Sequence, residues 1–491
     1  MKKLLVSLLV MALLLACCVS IFAACDNRDY DHTITFYSSQ NDDLQGKTKA
    51  AIDAFEAKYP GWHVDHQSVG GYDDVRNKTI AALSAKKQPD IAYCYPDHVS
   101  LYMQTGKVVD MKQYIDNTAG TVSGIDSLTN ESADFAIGYT QAEIDNFIEV
   151  YYNEGRAENF SDFVDYGFTK DSMLMMPFMK STELLFYNAT ALKALGKPVP
   201  TTWDELWSYE EDFKKMYPKG TLLGYDSDAN WFITESQRQG WGYTSTDPNN
   251  HYLFNNDRAA AWLDTLGGHR TQIQTQGKYE TYTSNLFKLG LADNAGGLLF
   301  CVGSSGGAKN QMPSGNKFEV GIARVPGSKV FDAQGKPVID ETTGEQKIDY
   351  QCISQGPSLC MLKSDKAKDP DQKALMTWMF IKELYDPTIQ ASVSMLQGYC
   401  TPLKNTAEVV ADYANFLDDA FADEAHTKVN NITAAANLLA NELSEEGLLF
   451  TSPAFVGSSE ARTQVGNALQ YVVEGTTKGK GALEEAYNNC L

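Results

Sequence analysis

Gly303-Ser304-Ser305-Gly306-Gly307, which follows an apolar run, is where this 491-residue chain comes nearest to a catalytic motif. Its spacing fits G-x-S-x-G, which would raise Ser305 as a nucleophile on a strand-to-helix elbow. The chemistry needs a histidine base, and the one histidine downstream is His426; Pro313 leaves no room for a long helix after the elbow. A secreted serine hydrolase is therefore a remote alternative, as is an adhesin. The same glycines and hydroxyls can instead bind, because free backbone amides after a strand cradle an anion or a hydroxyl group. Asp226-Ser227-Asp228-Ala229-Asn230 opens like a calcium loop, but its sixth position is Trp231 rather than glycine and its twelfth is Gln237 rather than glutamate. His63 and His66 fall on opposite faces of a strand and cannot chelate together. Cys94, Cys301, Cys352, Cys360, Cys400 and Cys490 are scattered, with no CxxC and no histidine at ligand spacing. No catalytic residue, metal or cofactor is expected; binding is.

The elements that must position such groups alternate. His32–Tyr37 reads as a strand, Lys47–Tyr59 as a helix stopped by Pro60-Gly61, Trp62–Val69 as a strand, Val75–Ala85 as a helix and Asp90–Tyr95 as a third strand. Strand-helix-strand-helix-strand predicts a parallel sheet with helices on both faces, and ligands in such sheets lie at the carboxyl ends of the strands. Ser39, Tyr72 and Asp97 follow the three strands, with Tyr95 and His98 beside Asp97. Asn117–Lys170 reads as irregular and partly helical. Met173–Asn188 returns to extended structure, Thr202–Tyr217 and Phe254–Leu266 are helical, and Ala295–Val302 is a strand. Turn signals at Gln334-Gly335-Lys336-Pro337 and Thr342-Thr343-Gly344-Glu345 make 330–349 an exposed added hairpin. The remainder is mostly helical, with Ala374–Leu384 strongly amphipathic.

Length predicts two or more lobes. The net charge of -22, from 41 basic and 63 acidic residues, argues against nucleic acid as a partner, because counterion release needs a basic footprint. Lys2 and Lys3 followed by the uncharged run Leu4–Ala24 have the form of a secretory signal. The run ends in Phe22-Ala23-Ala24-Cys25, which resembles the lipobox of bacterial lipoproteins; that resemblance implies diacylation of Cys25, cleavage after residue 24, and contact with membrane through the lipid anchor only.

PFMKSTELLFYN followed by PVPTTWDELW, AGGLLFCVGSSGG, VGIARVPG, ISQGPSLCMLK, ALMTWMFIKEL, LQGYCTPL and EARTQVGNALQYVVEGTTKGKGALEEAY occur in order across nearly all of the mature chain. Together they resemble the family 1 extracellular solute-binding proteins of ABC importers, which include maltose and glycerol-3-phosphate binders. The resemblance implies a periplasmic-binding-protein-like α/β fold: two α/β lobes with a hinge and a ligand cleft between them. The implied division is a signal peptide at 1–24, a tether at 25–31, one lobe from 32–178 and 326–396, and a second from 179–325 and 397–491. The implied protein is a monomer on the extracellular face of the bacterial cytoplasmic membrane, with the permease subunits as partners and no enzymatic activity.

For the site, the resemblance implies ligand roles for Ser39, Tyr72, Asp97, Ser181, Thr182, Trp231, Ser304, Ser305, Gly356, Tyr399 and Arg462. Hydroxyls at Ser181 and Thr182 suit sugar or phosphate oxygens, and a planar indole at Trp231 suits the apolar face of a pyranose. Trp203, in the Thr-Trp-x-Glu-Leu helix start, is expected to be structural. A carbohydrate is the expected solute. The alternative is sn-glycerol-3-phosphate or a glycerophosphodiester, favoured by Tyr72, Ser181, Ser304, Ser305 and Tyr399 and disfavoured by Pro96, where glycerol-3-phosphate binders have a glutamate.

Overall fold

The computed structural model of the protein describes residues 29–276, 282–313, 317–332, 334–394, 398–404 and 424–491. The leader and its lipidation candidate Cys25 lie outside the described residues.

The chain opens as β1 (Thr33–Ser38), α1 (Asp42–Lys58), β2 (His63–Ser68), α2 (Tyr72–Ser84), β3 (Ile91–Cys94) and α3 (Pro96–Met103). β1 buries Ile34, Thr35 and Phe36 in succession, as a strand covered on both faces must. In α2, Val75, Thr79 and Leu83 recur every four residues and form the buried stripe, while the Asp74 carboxylate accepts from the Gly71 amide at 2.9 Å and closes the first turn. Next come a hairpin, β4 (Thr121–Ile125) with β5 (Ser132–Ala136), and the short β6 (Met176–Pro177). The region expected to be irregular therefore contains an antiparallel pair, whose alternating residues are only partly buried apart from Gly124.

The second half of the fold comprises β7 (Glu183–Asn188), β8 (Thr221–Tyr225), α4 (Asp228–Gln239), α5 (Asp257–Gly268), β9 (Ile273–Thr275), β10 (Leu298–Ser304) and β11 (Val320–Ala323). The helix expected over 202–217 is two, Trp203–Ser208 and Glu210–Met216. Then follow β12 (Ser328–Lys329), β13 (Ile348–Asp349), β14 (Cys352–Ile353), β15 (Ser358–Met361), α6 (Pro370–Leu384), α7 (Glu424–Glu445), β16 (Leu449–Phe450), α8 (Ser458–Glu474) and α9 (Gly479–Cys490).

Two five-stranded sheets organise two lobes. One has the order β2-β1-β3-β15-β6, the other β11-β7-β10-β8-β9. β1 runs parallel to β2 and β3, and β15 antiparallel to β3 and β6. Each sheet has its own apolar core. Phe36, Phe55 and Phe380 meet in the first, with the Phe55 and Phe380 rings 5.4 Å apart, and Leu184, Leu223, Phe300, Val465 and Leu483 belong to the second.

Three segments cross between the lobes side by side. The Lys180 amide donates to Cys400 O at 2.9 Å, and Ser181 and Gln355 exchange two backbone bonds of 3.0 and 2.8 Å. Gly356 completes the crossing with φ +90°, where a Cβ would stand 2.0 Å from Met179 O, so backbone crowding requires glycine there. Lys180 is buried in this crossing, its ammonium 2.6 Å from Glu154 Oε2 and 3.2 Å from Gly356 O.

The return to the first lobe, expected at 326, comes later. Arg238, on α4, donates to Pro326 O at 2.7 Å and to Gln351 O at 2.6 Å, and Ser328 Oγ donates to Glu235 at 2.7 Å. β14 pairs with β16, so 326–353, including the predicted hairpin, packs on the second lobe. Among the described residues no helix is long and apolar enough to cross a membrane.

Candidate functional site

The lobes face each other across a cavity of about 610 Å³. The first turns of α2, α3, α4 and α8 line it, contributing Tyr72 and Arg76, Asp97 and His98, Asp228 and Asn230, and Ser459 and Arg462. Each helix follows a strand end or crossing loop, so its N-terminal amides and partial positive charge are aimed at the cleft.

Tyr72, Asp97 and Arg462, three of the expected ligand residues, thus line one cavity. The Tyr72 hydroxyl lies 3.2 Å from that of Tyr399, and Ser39 stands beside it as a second hydroxyl partner. The Tyr95 ring stands edge-on to Tyr72 with centroids 5.1 Å apart, and His98 is edge-on to Tyr95 at 5.5 Å. Asp97 accepts a hydrogen bond from Ser459 Oγ across the cleft. Burial pushes the Asp97 pKa up, but His98, the Ser459 hydroxyl, Arg462 and Arg76 outweigh it and hold the carboxyl below its usual range. Burial lowers the His98 pKa, so this ring is neutral at neutral pH. Arg462 donates to Asn230 Oδ1, and Arg76 pairs with exposed Asp73 at 3.1 Å.

Six candidates lie elsewhere. Trp231 is 1% exposed and packs flat on Tyr225, centroids 4.8 Å apart at 10°, with Trp203 at 5.4 Å. It belongs to the core of the second lobe, and its neighbour Asn230 faces the cavity in its place. Ser181 and Thr182 are buried in the crossing, where the Thr182 hydroxyl donates to Ile353 O at 3.0 Å. Ser304 caps the following 3-10 turn, accepting from the Gly306 amide at 3.2 Å. Ser305 is fully buried and its amide donates to Thr182 O at 2.8 Å, which removes it as an esterase nucleophile and as a ligand hydroxyl. Gly356 serves the backbone crossing. Asp226 accepts from Thr283 Oγ1 at 2.8 Å and the Ser284 amide at 3.1 Å, so the calcium-like run holds a turn. Trp203 donates to Glu235 Oε1 at 2.9 Å and is structural, as expected.

Arg76, Asn230 and Ser459 are cavity residues that the sequence reading missed. A signal existed for two of them: Arg76 is one helical turn after Tyr72 and Ser459 one turn before Arg462, so each shares a face with a residue already chosen.

Two α/β lobes, three crossing segments and a polar cleft between the lobes are the architecture of a solute-binding protein. The chain belongs to the bacterial extracellular solute-binding protein family, whose sequence profile matches residues 50–427. Membership makes it a binding protein rather than an enzyme. Over 212 residues it is 23% identical to the sn-glycerol-3-phosphate-binding periplasmic protein UgpB of Escherichia coli O1:K1 / APEC, covering 43% of this chain and 41% of that one. The chain thus matches about two fifths of the length of that curated relative. Its fold is similar to that of UgpB from Mycobacterium tuberculosis in complex with glycerophosphocholine, with TM-score 0.63, 14% identity, and coverage of 93% of this chain and 97% of that one. The GacH receptor of Streptomyces glaucescens, solved unliganded and with acarbose, matches with TM-score 0.60, 15% identity and coverage of 94% and 99%. The maltose/maltodextrin-binding domain MalE of Bdellovibrio bacteriovorus bound to maltotriose matches with TM-score 0.59, 14% identity and coverage of 93% and 98%. At these identities the likeness to solved structures is one of fold.

Proposed function

We propose that the protein captures a phosphorylated polyol, sn-glycerol-3-phosphate or a glycerophosphodiester, by hinge closure and delivers it to the permease of an ABC importer. One observation carries this reading: Arg462 and Arg76 stand among four helix N-termini around the cavity, a setting that favours a phosphate. The indole on which a sugar would stack is in the core instead. The name of the E. coli relative and the glycerophosphocholine bound to the mycobacterial one support the same class. In the proposed setting the protein is a monomer on the extracellular face of the bacterial cytoplasmic membrane, anchored through diacylated Cys25. Its proposed lobes are 32–178 with 358–396, and 179–353 with 397–491.

A carbohydrate is the second reading. Tyr72, Tyr95 and Tyr243 put rings on the cavity wall, Asp97 and Asp228 are carboxylate acceptors for sugar hydroxyls, and acarbose and maltotriose occupy structural relatives. A thermal-shift panel on the chain lacking residues 1–25 separates the two. A binder at 100 times its Kd adds about 2.7 kcal/mol of stability. sn-Glycerol-3-phosphate or glycerophosphocholine is expected to raise Tm while maltose and maltotriose do not; the reverse pattern replaces this reading with the second.

A further inference from the structure

Behind Arg462 lies a polar chain that reaches away from the cleft. Glu183, the first residue of β7, is 2% exposed. One of its carboxylate oxygens accepts from Asn230 Nδ2 at 2.9 Å and the other from the Tyr225 hydroxyl. Asn230, 3% exposed, turns its Oδ1 to Arg462. A carboxylate only accepts and a guanidinium only donates, so an amide held between them has one orientation, nitrogen toward Glu183 and oxygen toward Arg462.

We propose that Glu183 is a positioning residue for the solute: it locks the Asn230 amide, and the locked amide aims the remaining guanidinium donors of Arg462 into the cavity. A carboxylate without this task would be costly so deep in a lobe. A valine or leucine there would leave the Tyr225 hydroxyl and the Asn230 amide without their acceptor, and the Tyr225 hydroxyl alone would not need a charge. The groups that face Glu183 are Tyr225 from β8, Asn230 and Arg238 from α4, Arg462 from α8 and Cys352 from β14. Burial raises the Glu183 carboxyl to about 7 against the Tyr225 and Asn230 donors and the two arginines, so the lock loosens on protonation, when the acid can donate to the amide oxygen as well as accept from the amide nitrogen.

The inference depends on the phosphorylated-polyol reading only for its probe, and the test uses sn-glycerol-3-phosphate with the full chain. Glu183→Gln, which like the protonated acid carries a donor as well as an acceptor, holds the amide less strictly and is expected to cost about threefold in affinity; Glu183→Ala frees the amide and is expected to weaken binding by about tenfold or more. If Glu183 only repelled the anion, both substitutions would tighten binding. If it acts through Asn230, Glu183→Ala costs nothing further in an Asn230→Ala background. Unchanged affinity in Glu183→Ala, or a full additive loss in the Asn230→Ala background, overturns the proposal. The side-chain amide resonance of Asn230 is read without any solute: it is expected to shift near pH 7 in wild type and to stay still in Glu183→Gln. Should sn-glycerol-3-phosphate not bind wild type, the ligand reading fails while the Arg462 guanidinium resonance still decides the positioning role: it is expected to shift in Glu183→Ala but not when that substitution is added to Asn230→Ala, and an Arg462 resonance that Glu183→Ala leaves in place overturns it.

Discussion

Replacing Trp231 by alanine separates stability from recognition. The indole is 1% exposed, lies flat against Tyr225 at 4.8 Å, and touches Trp203 and Trp262 at 5.4 and 6.1 Å. Removing a buried tryptophan costs about 3–5 kcal/mol, from lost transfer energy and the cavity left behind. Stacked aromatic pairs contribute about 0.5–1.5 kcal/mol beyond their area, so the flat Tyr225 contact places this site toward the upper end. A native domain has only about 5–15 kcal/mol in all, so a loss toward the upper end leaves at most about two thirds of the stability margin and almost none of a small one. At about 2–4 °C per kcal/mol for a lobe of this size, the Tm of the second lobe falls by roughly 6–20 °C. Trp231→Phe keeps the ring against Tyr225 and loses less. Urea denaturation reads the stability, and calorimetric titration with sn-glycerol-3-phosphate, well below the lowered Tm, reads the affinity. Both variants are expected to bind within about twofold of wild type, since neighbouring Asn230 and not the indole lines the cavity. A tenfold loss of affinity with an unchanged urea midpoint would refute the placement of this side chain in the core.

Arg462→Ala removes a charged donor from the cavity and is expected to weaken a phosphorylated solute by about 10- to 100-fold, with Arg462→Lys recovering part of the loss; a titration showing less than a twofold change would remove Arg462 from the site. Gly356→Ala forces a Cβ to within 2.0 Å of Met179 O at φ +90°, so a loss of more than about 2 kcal/mol in urea, or failure to express folded, is expected. Glu183 has a raised carboxyl near 7 in the fold and an ordinary value of 4.5 when unfolded, so the folded state binds the extra proton; its contribution is full below 4.5 and is lost as pH rises through 7. Glu183→Gln is accordingly expected to gain stability relative to wild type between pH 5 and pH 8, by at most about 3 kcal/mol, and a difference that does not change with pH would contradict the burial of this charge.

The strands and helices that carry the first sheet were legible because each was local: a β-branched run, a turn, an amphipathic stripe. Tyr72 and Asp97 were found at the carboxyl ends of those strands by the same rule. Trp231 was misassigned for want of one residue of helical phase, since along α4 it points into the lobe while Asn230 points out. Ser181, Thr182 and Gly356 were expected in the cleft from the family resemblance, yet they lie in the backbone crossing, which involves segments over 170 residues apart. The late return at 354–357 was hidden for the same reason, because the buried contacts of Glu235 and Arg238 that hold 326–353 to the second lobe are invisible in any local window.

The place of β15 in the first sheet sets the order in which this molecule can mature. It lies between β3 and β6, although residues 358–361 follow them by far in the chain. Until a ribosome has made that segment, β3 has an open edge and β6 has no neighbour in its sheet. The core of the second lobe waits longer still, for Val465 and Leu483 near the end of the chain. Contacts this distant in sequence are entropically expensive to close and slow to form. The nascent chain can therefore complete neither lobe until most of it has been made, and the two cores close in sequence, the first with β15 and the second with α8 and α9.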